Sequence, residues 1–323
     1  MSDKMQPTIF IGSSKEGLDI AKIVESNLKQ IGKVTLWTGI FDLNKSNFDN
    51  LVSQLAFFDY AILIATSDDV TVSRNKKSMS PRDNVIFEYG LFTGGIGASR
   101  SFLVIEERAK LPSDLFGITL PYISKKGADD FHDSLRRQTD SIISHIQSKE
   151  ETFNLGYLPS TALAYGYFSN FIERTVERLL EDKFEKKQFF LQDGSSFTIE
   201  EVKVTVLIPN DLSDDMFNKV SAKRLRDGWQ KMKVEPKNIR DYDFSIDISK
   251  VEHGHLHLVD IPLTLNALNK SIELYSKKEH IGKSVKENLL EYREIRNFTK
   301  TLEYLVRKSS LTKGIVEIEV VDI

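Results

Sequence analysis

Tyr60-Ala61-Ile62-Leu63-Ile64-Ala65-Thr66 (YAILIAT) is an almost unbroken apolar run. A strand with one wet face alternates polar and apolar side chains, and a strand covered on both faces of a parallel sheet does not. The segment therefore predicts a central strand with helices on either side of its sheet. N-terminal to it, Thr8–Ile11 is a short β-branched and aromatic run. Gly12-Ser13-Ser14 turns the chain, and after Gly17 the residues Leu18, Ile20, Ala21 and Val24 read as a helix. Val34–Trp37 is a second strand candidate, Gly39–Ser46 a loop and Phe48–Phe57 a short helix. C-terminal to it, Ser67–Pro81 is polar and charged, and helical periodicity resumes at Arg82–Leu91 through Val85, Ile86, Tyr89 and Gly90. Strands at Phe102–Ile105 and Leu120–Ile123 and a helix at Phe131–Ile146 complete an alternation that predicts an α/β fold.

The rhythm then changes. Gln147–Ser160 is weakly patterned and ends in Leu158-Pro159-Ser160, a combination that stops one element and caps the next. Two domains are expected, 1–150 and 151–323. The second reads as a helix over Thr161–Phe184, an alternating strand at Val202–Ile208 and paired strands at Phe244–Ile248 and His255–Val259. Helices at Pro262–Tyr275 and Ser284–Lys308 and a last strand at Ile315–Val321 follow, an α+β pattern.

A chain of 323 residues with 40% hydrophobic content can fill two modest cores. With no cysteine, disulfides, thiolate zinc sites and cysteine nucleophiles are excluded. Net charge is −3, so no global field recruits a nucleic-acid backbone. No stretch reaches eighteen apolar residues and Met1–Pro7 is polar, which predicts a soluble, cytoplasmic protein that uses no membrane.

The densest constellation is PRDNVIFEYGLFTGGIG, Pro81–Gly97, read as a helix that stops at Thr93-Gly94-Gly95. Asp83 and Glu88 are five residues apart, about 140° around a helix, so they do not form a facing carboxylate pair. A glutamate on an anonymous helix is ordinarily a solvated or capping acid. Glu88 differs because Val85, Ile86, Phe87, Tyr89 and Leu91 surround it, and a carboxylate in such a segment is costly unless partnered or used. The Gly12-Ser13-Ser14 turn could offer amides and hydroxyls to a phosphate, although strand ends use such residues for turning anyway. No G-x-G-x-x-G is present, so hydride transfer gains no support; Gly94, Gly95 and Gly97 read as loop before phosphate cradle.

In the second half Leu163, Tyr167 and Phe171 share a helix face, either as a core or dimer stripe or as an aromatic platform for a base. Gly166 lets a backbone or ligand come close. Arg240, in a polar turn, is by default a surface residue and otherwise a fork of donors for a phosphate or purine. Asp260, before Pro262, is a helix cap or a purine acceptor. His253, His255 and His257 alternate toward one face, but without a supporting acid in phase they predict no metal site.

FIGSSKEG (Phe10–Gly17), YAILIATSDD (Tyr60–Asp69) and PRDNVIFEYGLFTGGIG occur in that order and resemble the TIR-like domains of bacterial anti-phage systems, over about Thr8–Ile146. The likeness implies a flavodoxin-like domain with a parallel sheet that cleaves NAD+ between nicotinamide and ribose. It assigns Glu88 as catalytic and places Ser13, Ser14, Trp37 and Asp83 around the substrate. LAYGYFSNFI (Leu163–Ile172), NIRDYDFSI (Asn238–Ile246) and LVDIPLTLNALNKSI (Leu258–Ile272) resemble the cyclic-dinucleotide domain of bacterial STING proteins, over roughly Ser160–Ile323. By that resemblance Phe171 stacks on guanine and Arg240 comes from a closing lid. Asp260 accepts from the guanine edge, Gly166 and Tyr167 line the floor, and Thr264 assists.

Together the two halves resemble TIR-STING fusion effectors of CBASS anti-phage defence, with the TIR-like head standing where animal relatives carry membrane helices. The resemblance implies a homodimer that assembles further on binding cyclic di-GMP, supplied by a cyclic-dinucleotide synthase. NAD+ is then substrate, and no cofactor is expected. A non-enzymatic cyclic-dinucleotide-responsive adaptor is the alternative, and a deoxyribosyltransferase-like base hydrolase a third class.

Overall fold

The computed structural model describes residues 6–39, 55–73, 76–115, 119–151, 159–191, 194–225, 228–234, 242–251, 253–275 and 285–323. The chain divides into two compact units, Met1–Gly156 and Tyr157–Ile323.

In the first unit β1 (Thr8–Ser13), α1 (Leu18–Leu28), β2 (Lys33–Leu36) and β3 (Tyr60–Ala65) are followed by a hairpin, β4 (Asp69–Ser73) with β5 (Lys76–Ser80). Then come α2 (Asp83–Ile96), β6 (Ser101–Glu106), β7 (Tyr122–Ile123) and α3 (Phe131–Glu151). The five-stranded sheet runs β2-β1-β3-β6-β7, parallel throughout, the flavodoxin-like order. β3 is buried along its whole length, which is why YAILIAT carries no alternation. Ile9 and Ile11 of β1 join Val24 and Leu28 of α1 and Ile142 and Ile146 of α3 in the core on one face. Phe10 points to the other face, where its ring stacks on Phe92 of α2 at 4.7 Å and meets Phe58 at 5.3 Å. Phe92 is fully buried there, a side chain worth roughly 1.5–3 kcal/mol removed from water.

The second unit begins with α4 (Pro159–Tyr167), a π-helical turn at Phe168–Ile172 and α5 (Glu173–Phe184). It continues through a small hairpin, β8 (Gln188–Phe190) with β9 (Ser196–Thr198), to β10 (Glu201–Pro209), α6 (Met216–Arg224), β11 (Trp229–Val234), β12 (Tyr242–Asp247) and a short α7 (Ile248–Val251). β13 (His255–Asp260), α8 (Thr264–Tyr275), α9 (Val285–Lys308) and β14 (Val316–Val321) complete it. Its sheet runs β11-β12-β13-β10-β14, with β10 parallel to β13 and β14 and β12 antiparallel to its two neighbours. Helix α9 is unusual in burying Arg296 and Asn297 fully beside Ile295, Phe298 and Leu302. Its acids serve as ties: Glu291 accepts the Leu212 amide, and Glu294 accepts the Ser160 amide at 3.1 Å.

Some expectations change. The Thr93-Gly94-Gly95 stretch does not end its helix: α2 continues to Ile96, and Gly97, at φ 95°, makes the stop. Gly94 and Gly95 are thus helical, with no cradle geometry. The polar stretch after β3 forms the β4–β5 hairpin, in which Thr71 and Ser80 share a hydroxyl bond. The expected single helix after residue 160 carries a π-turn in its middle. Only His255 and His257 lie in β13, and His253 precedes it. His255 pairs with Glu201 at 2.9 Å and His257 bonds Thr205 at 2.8 Å. Most of the helix expected at Phe48–Phe57 lies outside the described residues.

Candidate functional site

Two strand residues advance about 6.6 Å and four helix residues about 6 Å. The stacked pair Phe10–Phe92 therefore brings the residue two positions on along β1, Gly12, opposite the residue one turn back along α2, Glu88. The fit is close: a Cβ on Gly12 would lie 3.1 Å from Oε2 of Glu88, 3.0 Å from the Phe10 ring and 2.5 Å from Leu63 Cδ1. Glycine is needed here for space, not for its backbone angle. Glu88 sits at the C-terminal end of β1, beside β3, where the strand order reverses and α/β sheets open their ligand crevice. Among the described residues nothing donates a hydrogen bond to its carboxylate, and burial pushes it up to about 7.

Around Glu88 the candidate residues divide. Ser13 and Ser14 are both buried. Ser13 Oγ accepts the Trp37 indole N–H at 3.1 Å and donates to the Ser14 carbonyl at 2.9 Å. Ser14 Oγ accepts the Gly17 amide at 3.0 Å, closing the turn into α1. Trp37, half-buried, is thereby tied to the end of β1. Asp83 opens α2 and is exposed, one helical turn and more from Glu88, so the two acids are not brought together. Its neighbour Arg82 bridges to Glu16 of the β1–α1 turn at 2.6 Å. Gly12, Thr66, Asp68 and Glu106 also shape this end of the sheet. All four lie in or beside the apolar strands, and only their positions at strand ends distinguish them in sequence. A cavity of about 650 Å³ opens on a different side of α2, between Tyr89, Thr93, Phe102, Leu120, Ile142 and His145; Glu88 does not line it.

In the second unit the π-turn closes residues five apart, so side chains four apart stand nearly in line. Tyr167 and Phe171 consequently stack, with centroids 5.1 Å apart and planes at 23°. Phe171 also meets Phe244 of β12 at 5.0 Å. The Tyr167 hydroxyl donates to Oδ2 of Asp260 at 2.6 Å, so the last residue of β13 takes a tyrosine and does not cap α8 with its side chain. Burial pushes the Asp260 carboxyl up to about 6, against the opposing pull of the Tyr167 bond, the Lys231 charge and the Ile261 amide. Burial, followed by the Asp260 charge, holds Tyr167 well above the usual phenol range. Thr264, at the start of α8, has a buried hydroxyl with no partner among the described residues. A Cβ on Gly166 would meet nothing within 4 Å, so the close approach expected there is not made by the described residues of this chain. Arg240 lies outside the described residues.

Residues 8–125 match the family described as CAP12/Pycsar effector protein, TIR domain, and residues 159–303 match the Prokaryotic STING domain. CD-NTase-associated protein 12 of Flavobacterium daejeonense is 37% identical over 315 residues, spanning 97% of this chain and 99% of that protein. The chain belongs to the CD-NTase-associated protein 12 family. The Sphingobacterium faecium member of the CD-NTase-associated protein 12 family is 35% identical, over 97% of this chain and 98% of its own. A bacterial STING solved in complex with c-di-GMP aligns over 52% of this chain and 98% of its own length, at 30% identity and a TM-score of 0.44. The chain is a TIR-domain and STING-domain fusion. Among the described residues no helix is long and apolar enough to cross a membrane, and no cluster of His, Cys, Asp and Glu has a metal-holding arrangement.

Proposed function

We propose that this chain is a cyclic di-GMP-activated NAD+ hydrolase, an effector of CBASS anti-phage defence working in the cytoplasm, in which Glu88 acts on the nicotinamide–ribose bond. The observation that carries the reading is the placement of one half-buried carboxylate, without a partner among the described residues, against Gly12 at the crevice of a parallel sheet. When the C1′–N bond breaks, its electron pair leaves with nicotinamide, which departs neutral and needs no acid. Positive charge develops on the ribose, and a fixed carboxylate in apolar surroundings is strongly felt there. Water then bonds to C1′ and gives up a proton, leaving nicotinamide, ADP-ribose and H+. The same burial that raises the Glu88 carboxyl makes it favour a cationic substrate, since positive charge nearby stabilises the ionised form.

The second unit is the activator site. Phe171 offers a ring for a guanine, and Asp260 with Thr264 offers acceptors for its edge. Tyr167 and Gly166 form the floor, and Arg240 is the lid contact. A dinucleotide with two guanines and two phosphates fits two copies of this set, so the active unit is a homodimer in which the open space beside Gly166 is filled from outside the single subunit. Dimers assemble further on binding and so order the Glu88 crevice; a cyclic-dinucleotide synthase supplies the messenger, and neither nucleic acid nor membrane takes part.

The deciding experiment measures free nicotinamide released from NAD+ by the purified chain, with and without cyclic di-GMP, while particle mass is followed in parallel. Release that appears with the messenger and with a rise in mass is expected. Messenger binding and assembly without any nicotinamide would make the chain a non-enzymatic adaptor.

A further inference from the structure

The Ser14 hydroxyl does not stand alone. It lies 3.2 Å from Oγ1 of Thr66, and Thr66 donates to Oδ2 of Asp68 at 2.8 Å. Because the Thr66 proton is committed to Asp68, the Ser14 proton must go to Thr66, and the Ser14 lone pair takes the Gly17 amide at 3.0 Å. The direction of the chain is thereby fixed, from Gly17 through Ser14 and Thr66 to Asp68. Ser14 and Thr66 are both about 5% exposed, so water does not compete for these bonds, and each polarises the next.

The receiving end is itself held. Asp68 donates its own amide to the Thr66 carbonyl at 3.0 Å. The Ser67 amide between them bonds Oε2 of Glu106 at 2.9 Å, and Oε1 of the same buried carboxylate takes the Lys126 amide at 2.9 Å. The packing at Gly17 points the same way: a Cβ there would lie 3.1 Å from Thr66 Oγ1 and 3.3 Å from Ser14 Oγ. The β1–α1 turn is therefore moored, through two hydroxyls, to a block clamped on its far side by Glu106. Two residues before Ser14 is Gly12, the residue whose missing side chain leaves room for the Glu88 carboxylate.

We infer that Asp68 is a positioning residue for the Glu88 crevice, acting through Thr66 and Ser14 to fix the exit of β1 against the carboxylate without touching the substrate. The inference rests on the NAD+ hydrolase reading. The backbone ladder pairing Ser13 with Ile64 does not depend on these hydroxyls, so breaking the chain leaves the sheet in place and lets only the turn drift. Small displacements of groups around a reacting centre lower turnover far more than they lower ground-state affinity.

The test compares Thr66→Val, Thr66→Ser, Asp68→Ala and Asp68→Asn with the parent chain, at saturating cyclic di-GMP and over a range of NAD+. Thr66→Val and Asp68→Ala are expected to lower kcat about tenfold with KM within about twofold, the size of one buried hydrogen bond lost. Thr66→Ser keeps the hydroxyl and Asp68→Asn keeps an acceptor oxygen, so both recover kcat to within about threefold of the parent. The messenger concentration for half-activation stays unchanged in all four. Parent-like kcat in Thr66→Val and Asp68→Ala sinks the inference while leaving the hydrolase reading intact. Equal losses in Thr66→Val and Thr66→Ser, or a loss carried wholly by KM, sink it too. A parent that releases no nicotinamide overturns both.

Discussion

Gly12 and Glu88 meet closely: Oε2 of the second lies 3.1 Å from where a Cβ on the first would stand, a place that Leu63 Cδ1 already crowds at 2.5 Å. The position of the Glu88 carboxylate thus depends on an absent atom. Gly12→Ala should crowd Leu63 and push the Glu88 carboxylate aside, at an overpacking cost of about 1–3 kcal/mol. Nicotinamide release should fall at least tenfold while cyclic di-GMP binding, measured by calorimetry, stays at the parent value. Parent-like turnover in this variant would mean that the carboxylate tolerates displacement and is not positioned by the contact.

Glu88→Gln is expected to abolish turnover and also to change stability in a pH-dependent way. The Glu88 carboxyl is raised to about 7 in the folded chain, so ionising it disfavours the fold. Sign follows: its contribution is fully present below the unfolded carboxylate range near 4.5 and is lost as pH climbs through 7. Near pH 5 the Gln variant and the parent should melt together, and at pH 8 the variant should melt a few degrees higher. Thermal melts of the two proteins at both pH values check this.

The Asp260 carboxyl, raised to about 6, must be ionised to accept from a guanine edge. Affinity for cyclic di-GMP should therefore be flat above pH 7 and fall as pH drops below 6. Tyr167→Phe removes the donor that holds Asp260 down, so the fall should begin at higher pH than in the parent. Binding isotherms between pH 5 and 8 would show it, and coincident profiles for the two proteins would break the link between this carboxylate and the ligand.

Phe171→Ala takes away a ring that now stacks on Tyr167 and abuts Phe244. Base stacking on such a ring contributes about 1–3 kcal/mol. Half-activation should then need at least tenfold more messenger, with maximal nicotinamide release at saturation close to the parent. Equal half-activation concentrations would remove Phe171 from the ligand site.

Much of the fold was legible because burial writes itself into the sequence. YAILIAT reads as a covered strand and β3 is buried along its length, whereas the alternation read at Val202–Ile208 holds only for Glu201–Lys203, the strand being buried on both faces from Val204 to Pro209. The hairpin of Asp69–Ser73 and Lys76–Ser80 was not legible: it leaves Val70 and Val72 more than 60% exposed, so no solvent-facing pattern separates it from a loop. Trp229–Val234, where the pattern is set by one edge of a sheet, was hidden for a similar reason. Glu88 could be singled out from its apolar neighbours, but its partner in space could not, because the register of α2 on β1 is set by Phe10 and Phe92, residues 82 positions apart in the sequence. For the same cause, only the fold reveals that the Ser13 and Ser14 hydroxyls are engaged within the chain.

The π-turn at Phe168–Ile172 holds one residue more than an ordinary helix would accommodate at that point. Excising a single amino acid there, Asn170 for example, would close the turn into regular winding and leave the downstream half on nearly its present face. Val176 and Leu179 would stay sealed in the interior, whereas Phe171 would come to stand three positions after Tyr167 and the stack of the two rings would be lost. The extra residue thus serves the local pair of rings and not the register of the helix, and grafts or chimaeras joined inside this helix must keep it if they are to keep that pair.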